Sequence, residues 1–256
     1  MRLYALSDLH LAHAVDKPMD IFGARWDNHV EKIIHHWTVD VGADDTVLIG
    51  GDISWANSLE EALPDLSLID CLPGKKILLR GNHDYWWTTL RKMEMFCEEK
   101  GLSTLQFLRN DAITQAGFDI CGTRGWLLPT DEAFDAAAEK VFNREKIRLD
   151  LSLQGLEKLR KKWTTSRQTV ALMHYPPISE KGTPSALSEQ LEKSQVDVCL
   201  FGHIHHHAPY YSSSPLVGSV RYIMTASDQL KFRPLLIGDD GQLCIADVEP
   251  SGGMIS

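Results

Sequence analysis

Short, continuously apolar runs recur along most of the chain. They occupy residues 3–7, 46–50, 76–80, 118–121, 169–173 and 196–201. Runs of this length without an alternating polar side are typical of strands that are buried on both faces. The pattern therefore predicts a set of strands covered by other layers of the protein.

Amphipathic segments with a helical period lie between these runs. The first has an apolar face made of Val30, Ile33, Ile34 and Trp37, with Asp27 or Asn28 available as its N-cap. Further helices are predicted over residues 59–72 after the N-cap Ser58, over residues 87–100 before Gly101, and over residues 131–162. Pro64 and Gly155 favour breaks inside the second and the last of these helices. Strands that alternate with helices indicate an α/β layered domain.

The pattern changes to short β segments from about residue 217. These segments cover residues 217–225, 234–238 and 242–248, and Asp239-Asp240-Gly241 supplies a hairpin turn between the last two. No linker, repeat or low-complexity stretch divides the chain. We therefore expect one domain over residues 1–249, followed by a flexible tail over residues 250–256.

The composition is that of an ordinary globular protein, with 43% hydrophobic and 24% charged residues. No apolar run approaches the roughly 20 residues that span a bilayer. The first residues lead directly into a core strand and do not resemble a signal peptide. The five cysteines are scattered without a CxxC pair, so we expect neither a disulfide framework nor a zinc knuckle. These features predict a cytoplasmic protein that does not bind membranes.

Polar segments with metal-binding side chains follow most of the apolar runs. They are Asp8-Leu9-His10, Gly51-Asp52, Gly81-Asn82-His83-Asp84, His174 and Gly202-His203-Ile204-His205. Taken singly, several have simpler explanations, because Asp52 could be an N-cap, Gly81-Asn82 a turn and His174 a core histidine. Taken together, they point to a common crevice outside the strand ends.

The chemistry of these side chains suits divalent cations. Carboxylates and neutral imidazoles ligate zinc, iron or manganese, and the amide oxygen of Asn82 can join them without adding charge. His83 could stay unligated, as a proton donor or an electrostatic clamp. The net charge of −9 argues against unaided binding to nucleic acid. Bound cations would nevertheless reverse the local field and admit a phosphate substrate.

The ordered set of motifs resembles the pattern of the calcineurin-like metallophosphoesterase superfamily, which is D-x-H, G-D, G-N-H-D/E, a single H, and G-H-x-H. All five blocks occur here in that order, from Asp8 to His205. The resemblance implies an α/β fold in which two face-packed sheets lie between helices, a four-layer α/β/β/α sandwich. It also implies that the β-rich region after residue 217 belongs to the second sheet.

The resemblance further implies two divalent transition-metal ions, which could be manganese, iron, zinc or nickel. One metal would be held by Asp8, His10, Asp52 and His205. The other would be held by Asp52, Asn82, His174 and His203, with Asp52 as the bridge. Two such cations can share a water, lower its pKa and supply hydroxide for attack on a phosphoester. His83, oriented by Asp84, would lie near the leaving-group oxygen.

The motif details narrow the substrate class. The phosphoprotein phosphatases of the superfamily have a second block that resembles G-D-x-V-D-R-G, and residues 51–56 of this chain lack that arginine. The lipid-sugar pyrophosphatases usually carry arginine in place of His83. A small phosphodiester, such as a cyclic nucleotide, is therefore the expected substrate, and a nuclease is less favoured. The alternative is a metal-binding scaffold of the same fold without catalysis.

Four side chains next to the motifs are candidates for substrate contacts, namely Trp55, Tyr85, Arg124 and Tyr175. The aromatic rings could stack on a base or on another flat leaving group, and Arg124 could contact a phosphate. Core packing is the alternative for the aromatic residues, and a surface salt bridge is the alternative for Arg124.

Overall fold

The computed structural model describes residues 1–162 and 166–244. The strands are β1 (Arg2–Ala5), β2 (Thr46–Ile49), β3 (Lys75–Leu78), β4 (Leu105–Phe107), β5 (Ala112–Gln115), β6 (Phe118–Thr123), β7 (Thr169–Met173), β8 (Val198–Phe201), β9 (Leu216–Val217), β10 (Val220–Met224), β11 (Leu235–Asp239) and β12 (Gln242–Leu243). The helices are α1 (His29–Asp40), α2 (Leu59–Cys71), α3 (Leu90–Lys100), α4 (Ala136–Lys162), α5 (Ala186–Lys193) and the single turn α6 (Pro209–Ser212). Two short 3-10 helices cover Met19–Phe22 and Ala24–Trp26.

The strands form two mixed six-stranded sheets. The order is β12-β11-β1-β2-β3-β4 in the first sheet and β5-β6-β7-β8-β10-β9 in the second. Strands β1, β2 and β3 are mutually parallel, and so are β7 and β8. All five therefore present their carboxyl ends at one edge of their sheet, which is the edge where open α/β sheets form their sites.

Alternation of side chains along the strands explains how the sheets pack. In β1, Leu3 and Ala5 point to a cluster shared with Val170 and Leu172 of β7, whereas Tyr4 joins a different cluster on the outer face. Side chains of a strand alternate between its two faces, so both faces of β1 are apolar and covered. The shared cluster is the layer between the two sheets.

Helices cover the outer face of each sheet. Ile33 and Trp37 of α1 pack with residues of α2 and α3 on the first sheet. Phe142 and Leu149 of α4 pack with Leu187 of α5 on the second sheet. This arrangement confirms the four-layer α/β/β/α sandwich. Within the described residues, no helix combines the length and the apolar character that crossing a membrane requires.

The predicted helices are present, with three corrections. Helix α2 starts after Ser58, which caps it as expected. It continues through Pro64, although an interior proline disfavours a helix, since Leu66 and Ile69 beyond it are buried in the core. Asn28 precedes α1 but makes no capping hydrogen bond. Helix α4 continues through Gly155, where a side chain would come within 3.0 Å of the backbone of Ala112. Gly155 thus permits close packing of the helix on β5.

The β-rich region after residue 217 does not belong to one sheet, so this expectation was wrong. Strands β9 and β10 extend the second sheet, but β11 and β12 return to the first sheet beside β1. The predicted hairpin is confirmed, with Asp240 and Gly241 as its two loop residues at φ values of 45° and 79°. The predicted strand up to residue 248 and the tail 250–256 extend beyond the described residues.

Candidate metal centre

The five motifs meet where the carboxyl ends of the parallel strands face one another. Asp8 follows β1, Asp52 follows β2 and Asn82 follows β3 in the first sheet. His174 follows β7 and His203 follows β8 in the second sheet. Both sheets therefore contribute side chains to one site, as the positions of the motifs in the sequence predict.

Asp8, His10 and His205 form the first group of possible metal ligands. One ligand atom from each residue lies within 4.8 Å of the other two. The Nε2 atom of His205 is 3.8 Å from Asp8 Oδ1 and 3.4 Å from His10 Nε2. Asp8 and His10 are buried, so water does not compete freely for their lone pairs.

Asp52, His174 and His203 form the second group, again with ligand atoms within 4.8 Å of one another. Asn82 joins it, because its Oδ1 atom lies 2.6 Å from His174 Nε2. The two groups are adjacent at Asp52, whose Oδ2 atom is 3.5 Å from His174 Nε2 and 3.8 Å from His10 Nε2. All seven ligand residues predicted from the sequence thus lie in one cluster.

Hydrogen bonds to the far nitrogens fix the orientation of two imidazoles. The Nδ1 atom of His174 is 3.0 Å from the carbonyl oxygen of Gly50, and Nδ1 of His205 is 2.9 Å from Asp228 Oδ1. Each Nδ1 donates to its acceptor, which leaves the Nε2 lone pair directed into the cluster. Metal-binding histidines in proteins are commonly held in this way.

Burial sets the charge state of the ligands. It lowers the pKa of His174 to about 3 and that of His203 to about 2, so both imidazoles are neutral and able to bind a cation at neutral pH. It raises the pKa of the Asp8 and Asp52 carboxyls, since a buried negative charge without a cation is costly. In His205 burial also acts to lower the pKa, but the hydrogen bond to Asp228 and the charge of Asp8 outweigh it and raise the pKa. This donor set fits a pair of divalent cations.

The backbone at the centre is strained. Asp8, His10, Asp52 and His203 have positive φ values of 59°, 47°, 50° and 70°. Residues other than glycine rarely adopt this conformation unless the surrounding structure imposes it, and such residues cluster at functional sites. The strain occurs at four of the seven ligand positions, which supports a functional reason for these loops.

Two motif glycines are required by close contacts with the ligands. A side chain on Gly81 would collide with Oδ1 of Asp52, and a side chain on Gly202 would collide with Oδ2 of Asp8. The backbone N–H of His203 instead donates to the Asp8 carboxylate at 3.0 Å, which links the two sheets. The glycines therefore allow the carboxylates to lie directly against the neighbouring loops.

His83 lies beside the ligands, but Asp84 does not orient it, and this part of the prediction was wrong. Nε2 of His83 is 3.9 Å from Asp52 Oδ2, and its Nδ1 has no partner among the described residues. The buried Asp84 carboxylate instead accepts hydrogen bonds from the backbone N–H groups of Ile53 and Gly81 and from the indole of Trp86. Asp84 therefore joins the second motif to the third through these hydrogen bonds, and none of them goes to the imidazole of His83.

Three of the predicted substrate contacts lie around this centre. The ring of Trp55 stacks on His10 at a centroid distance of 5.1 Å and lies 4.3 Å from His83. Tyr85 is exposed, 6.2 Å from His83. Tyr175 is buried against His203, with ring centroids 4.0 Å apart. Trp55 and Tyr175 therefore pack against the imidazoles, and Tyr85 is the one of the three whose ring is largely open to solvent.

The side chain of Arg124 pairs with residues outside the ligand cluster. Its guanidinium group stacks on Trp126, 4.5 Å from the ring centroid, and pairs with Glu145 at 3.5 Å. Its backbone carbonyl accepts hydrogen bonds from the N–H groups of His174 and Tyr175. The salt bridge that was the alternative for Arg124 is therefore present, and it is largely buried.

Three residues that contact or hold the candidate ligands could not be predicted from the sequence. Asp228 holds His205, and Arg25 pairs with Asp228 at 3.2 Å while also donating to the carbonyl of His205. Trp26 packs edge-on against both His10 and His205. Asp228 follows no metal-binding pattern, and Arg25 and Trp26 lie in a 3-10 helix that has no apolar period. No local signal in the sequence marks these residues.

Comparison with known proteins agrees with the geometry. The family model of the calcineurin-like phosphoesterases matches residues 1–207, which include every ligand described above. The chain belongs to this family. Membership in the calcineurin-like phosphoesterases, together with the two groups of candidate ligands, supports a metal-dependent phosphohydrolase.

Individual relatives are distant. The Gene 66 protein of Mycobacterium phage L5 is 37% identical over 78 residues, which span 30% of this chain and 37% of that relative. The solved structure of TT1561 of Thermus thermophilus aligns with a TM-score of 0.56 at 11% identity, over 93% of this chain and 99% of that one. The protein of unknown function AQ665 from Aquifex aeolicus aligns with a TM-score of 0.51 at 15% identity, over 92% and 95% of the two chains. At these identities, the two structures are evidence of a shared fold only.

Proposed function

We propose that the protein is a binuclear metal-dependent phosphoesterase that hydrolyses phosphodiester bonds. The observation that carries the proposal is the position of Asp52 Oδ2, 3.5 Å from an imidazole of its own group of ligands and 3.8 Å from an imidazole of the other. A carboxylate in this position can bridge two cations, since each of its oxygens has lone pairs to spare. We assign one cation to Asp8, His10, Asp52 and His205 and the other to Asp52, Asn82, His174 and His203.

Bound cations would polarise the phosphoryl oxygens and generate a nucleophile from water near neutral pH. The residues of the chain orient the imidazoles and supply a proton to the departing oxygen. Asp228 and the carbonyl of Gly50 hold the imidazoles of His205 and His174 in place. His83 is one-third exposed, so it can exchange protons with solvent, and it lies beside Asp52. We assign His83 as the group that protonates the departing oxygen.

A diester substrate suits the charges around the centre. A cavity of about 230 Å³ is lined by His10, Asp52, His83 and His205, and within the described residues Arg25 is the one lysine or arginine on its wall. Arg25 is already paired with Asp228. The extra negative charge of a monoester therefore finds no free side-chain cation among the described residues of this cavity, whereas a diester does not need one.

Two cavities meet at the centre and offer space for the two substituents of a diester. The one just described and a second cavity of about 640 Å³ both include His203 in their walls. The lining of the second cavity also includes Tyr175, Trp126 and Lys181.

Since both sheets contribute candidate ligands to the centre between these cavities, we also propose that residues 1–249 act as one catalytic domain.

Hydrolysis of bis-p-nitrophenyl phosphate by protein loaded with manganese, iron, zinc or nickel tests the function. We expect turnover with at least one metal, and a kcat/KM for this diester that clearly exceeds the value for p-nitrophenyl phosphate. The absence of turnover with every metal would favour the non-catalytic scaffold. A preference for the monoester would overturn the diester assignment.

The bridge is tested with Asp52→Asn, because a neutral amide oxygen is a much weaker ligand for two cations than a carboxylate oxygen. We expect the content of both metals to fall after dialysis, as measured by elemental analysis. Asp44→Asn, an exposed change of the same type, is the matched control. Full occupancy in Asp52→Asn would contradict the bridge.

The role of His83 is tested with His83→Ala. We expect metal content near that of the wild type and a turnover lower by about 10²–10⁴-fold, the usual contribution of a general acid. His207→Ala, an exposed histidine beside the last motif, is the control. Loss of metal in His83→Ala, with activity restored when metal is added back, would make His83 a ligand instead.

A further inference from the structure

Four arginines surround a cavity that is separate from the ligand cluster. The cavity measures about 240 Å³, and its walls include Arg80, Arg109, Arg124 and Arg148. Among the described residues, Glu145 is the one carboxylate that lines it. Four guanidinium groups against one carboxylate leave the pocket strongly positive, in a chain with a net charge of −9.

Glu145 balances part of this charge. Its buried carboxylate accepts from Thr123 Oγ1 at 2.6 Å and pairs with Arg148 at 2.5 Å and with Arg124 at 3.5 Å. Its oxygens are therefore already occupied by three donors. Glu145 fixes Arg124 and Arg148 in position, and it has little capacity left for further arginines.

The other two arginines have no acidic partner in the described part of the chain. Within the described residues, no carboxylate forms an ion pair with the guanidinium group of Arg80 or Arg109, whereas Glu145 pairs with Arg124 and Arg148. The Nε atoms of Arg80 and Arg124 are shielded from solvent and have no hydrogen-bond partner among the described residues. A buried N–H group without an acceptor is unusual in a folded protein, and it points to a ligand that accepts.

The walls of the cavity suit an oxyanion. The planar guanidinium group donates two parallel hydrogen bonds to a phosphate or a carboxylate. Thr88, Thr89 and Asn110 add hydroxyl and amide donors to the lining. Burial, together with the charges of Arg80 and Arg148, lowers the pKa of Arg124, and an anion in the pocket would relieve the mutual repulsion of these cations.

We propose that this arginine pocket binds a phosphate-class oxyanion. The pocket adjoins the metal centre through the backbone, because Arg80 directly precedes Gly81-Asn82 and the carbonyl of Arg124 accepts from the N–H of His174. The anion has two possible sources, free orthophosphate or a second phosphate group on the molecule that is cleaved. The second source rests on the proposed function, and the first does not.

Binding of orthophosphate tests the pocket itself. Calorimetric titration of the full-length protein, after chelation of metal and a check of its circular dichroism, should give saturable binding at one site. Arg80→Gln and Arg109→Gln should each weaken that binding by about tenfold or more, the loss of one charge-assisted hydrogen bond. The exposed Arg144→Gln, next to Glu145 in α4, should bind as the wild type does. The absence of saturable binding, or equal weakening by Arg144→Gln, would overturn the proposal.

Kinetics with metal-loaded protein then distinguish the two sources. The substrates are bis-p-nitrophenyl phosphate and a p-nitrophenyl nucleotide diester that carries a second, terminal phosphate. If the pocket holds a substrate phosphate, Arg109→Gln should raise the KM for the phosphorylated diester relative to that for bis-p-nitrophenyl phosphate, again by about tenfold. If the ratio of the two KM values stays constant while orthophosphate binding is weakened, free phosphate is the ligand. Failure of the wild type to hydrolyse either diester would refute the proposed function and leave the binding result intact.

Discussion

Asp228→Asn should lower the metal affinity of one group of candidate ligands and leave that of the other nearly unchanged. In the wild type, both oxygens of Asp228 have partners, one in His205 Nδ1 at 2.9 Å and one in Arg25 at 3.2 Å. An asparagine in the same place offers only one acceptor oxygen, while its amide group is a donor. One of the two contacts must therefore be lost, and His205 is either released or left beside an arginine that has lost its partner.

The expected magnitude follows from the position of Asp228. Loss of a residue that orients a metal-binding histidine usually lowers metal affinity by about 10–100-fold, or about 1.4–2.7 kcal/mol. The side chain of Asp228 is fully buried, so water does not simply replace it. Among the described residues, its hydrogen bonds go to His205 and Gln229 and its ion pair to Arg25, none of which belongs to the second group of ligands. The affinity of the second group should therefore change little.

Competition between the protein and a chelating dye for zinc or manganese measures this effect. We expect two binding constants for the wild type and a fall of about 10–100-fold in one of them for Asp228→Asn, with Asp44→Asn as the exposed control. Two unchanged constants would refute the role of Asp228. An equal fall in both constants would also count against it, because it would indicate a general loss of structure.

Two further predictions concern the glycine contact and the core. Gly81→Ala should empty the centre, because the added side chain collides with Asp52, and full metal content in this variant would contradict the prediction. Gly101→Ala should retain metal, because it meets no atom within 4 Å and strains only the C-cap of α3. Burial lowers the pKa of Lys76 to about 8, against about 10.4 in an unfolded chain. The unfolded state therefore binds more protons between these values, and the free energy of unfolding should rise with pH relative to Lys76→Met, by up to about 1.4 kcal/mol per pH unit. Denaturant titrations over this pH range measure the difference, and a difference independent of pH would show that Lys76 keeps an ordinary pKa.

The core strands could be predicted from the sequence because both of their faces are buried. Strands β2, β7 and β8 are buried at every position, so their apolar runs are unbroken. By contrast, β5 is half-buried throughout and β4 has three residues of mixed exposure. Edge strands of this kind have no clear period, and no local pattern indicated either of them. The sequence after Pro234 is typical of a strand and predicts β11. No local feature of the sequence determines which of the two sheets this strand joins.

The clustering of the candidate metal ligands could be predicted for a different reason. Each occurs in a short motif at the end of a buried strand, and the carboxyl ends of parallel strands converge. Residues that contact the candidate ligands from outside these motifs lie in no recognisable sequence pattern. Asp228 reaches His205 from 23 positions away, and Arg25 reaches it from 180 positions away. Their contacts depend on how β10 and the 3-10 helices pack, which follows from the whole core.

The construction of the centre also couples metal binding to the packing of the two sheets. Asp8 of the first sheet accepts from the N–H of His203 in the second, and Ser7 pairs with Thr225 through their hydroxyl groups at 2.8 Å. The carboxylates of Asp8 and Asp52 are buried, and this burial raises their pKa because a charged carboxylate loses its hydration there. A cation bound to the folded state would offset this cost, and it would stabilise the fold by an amount that grows with the logarithm of its concentration.

The strained backbone at the ligands is tolerated because the apolar layer between the sheets holds the loops in place whether or not the local conformation is favourable. The same layer lies directly behind the hydrogen bond from the N–H of His203 to Asp8, which joins the two groups of candidate ligands. The geometry of the candidate metal centre and the packing of the sheets are therefore not independent in this protein. A variant of the ligand loops should be judged by metal affinity and by stability together, since a change in either one alters the other.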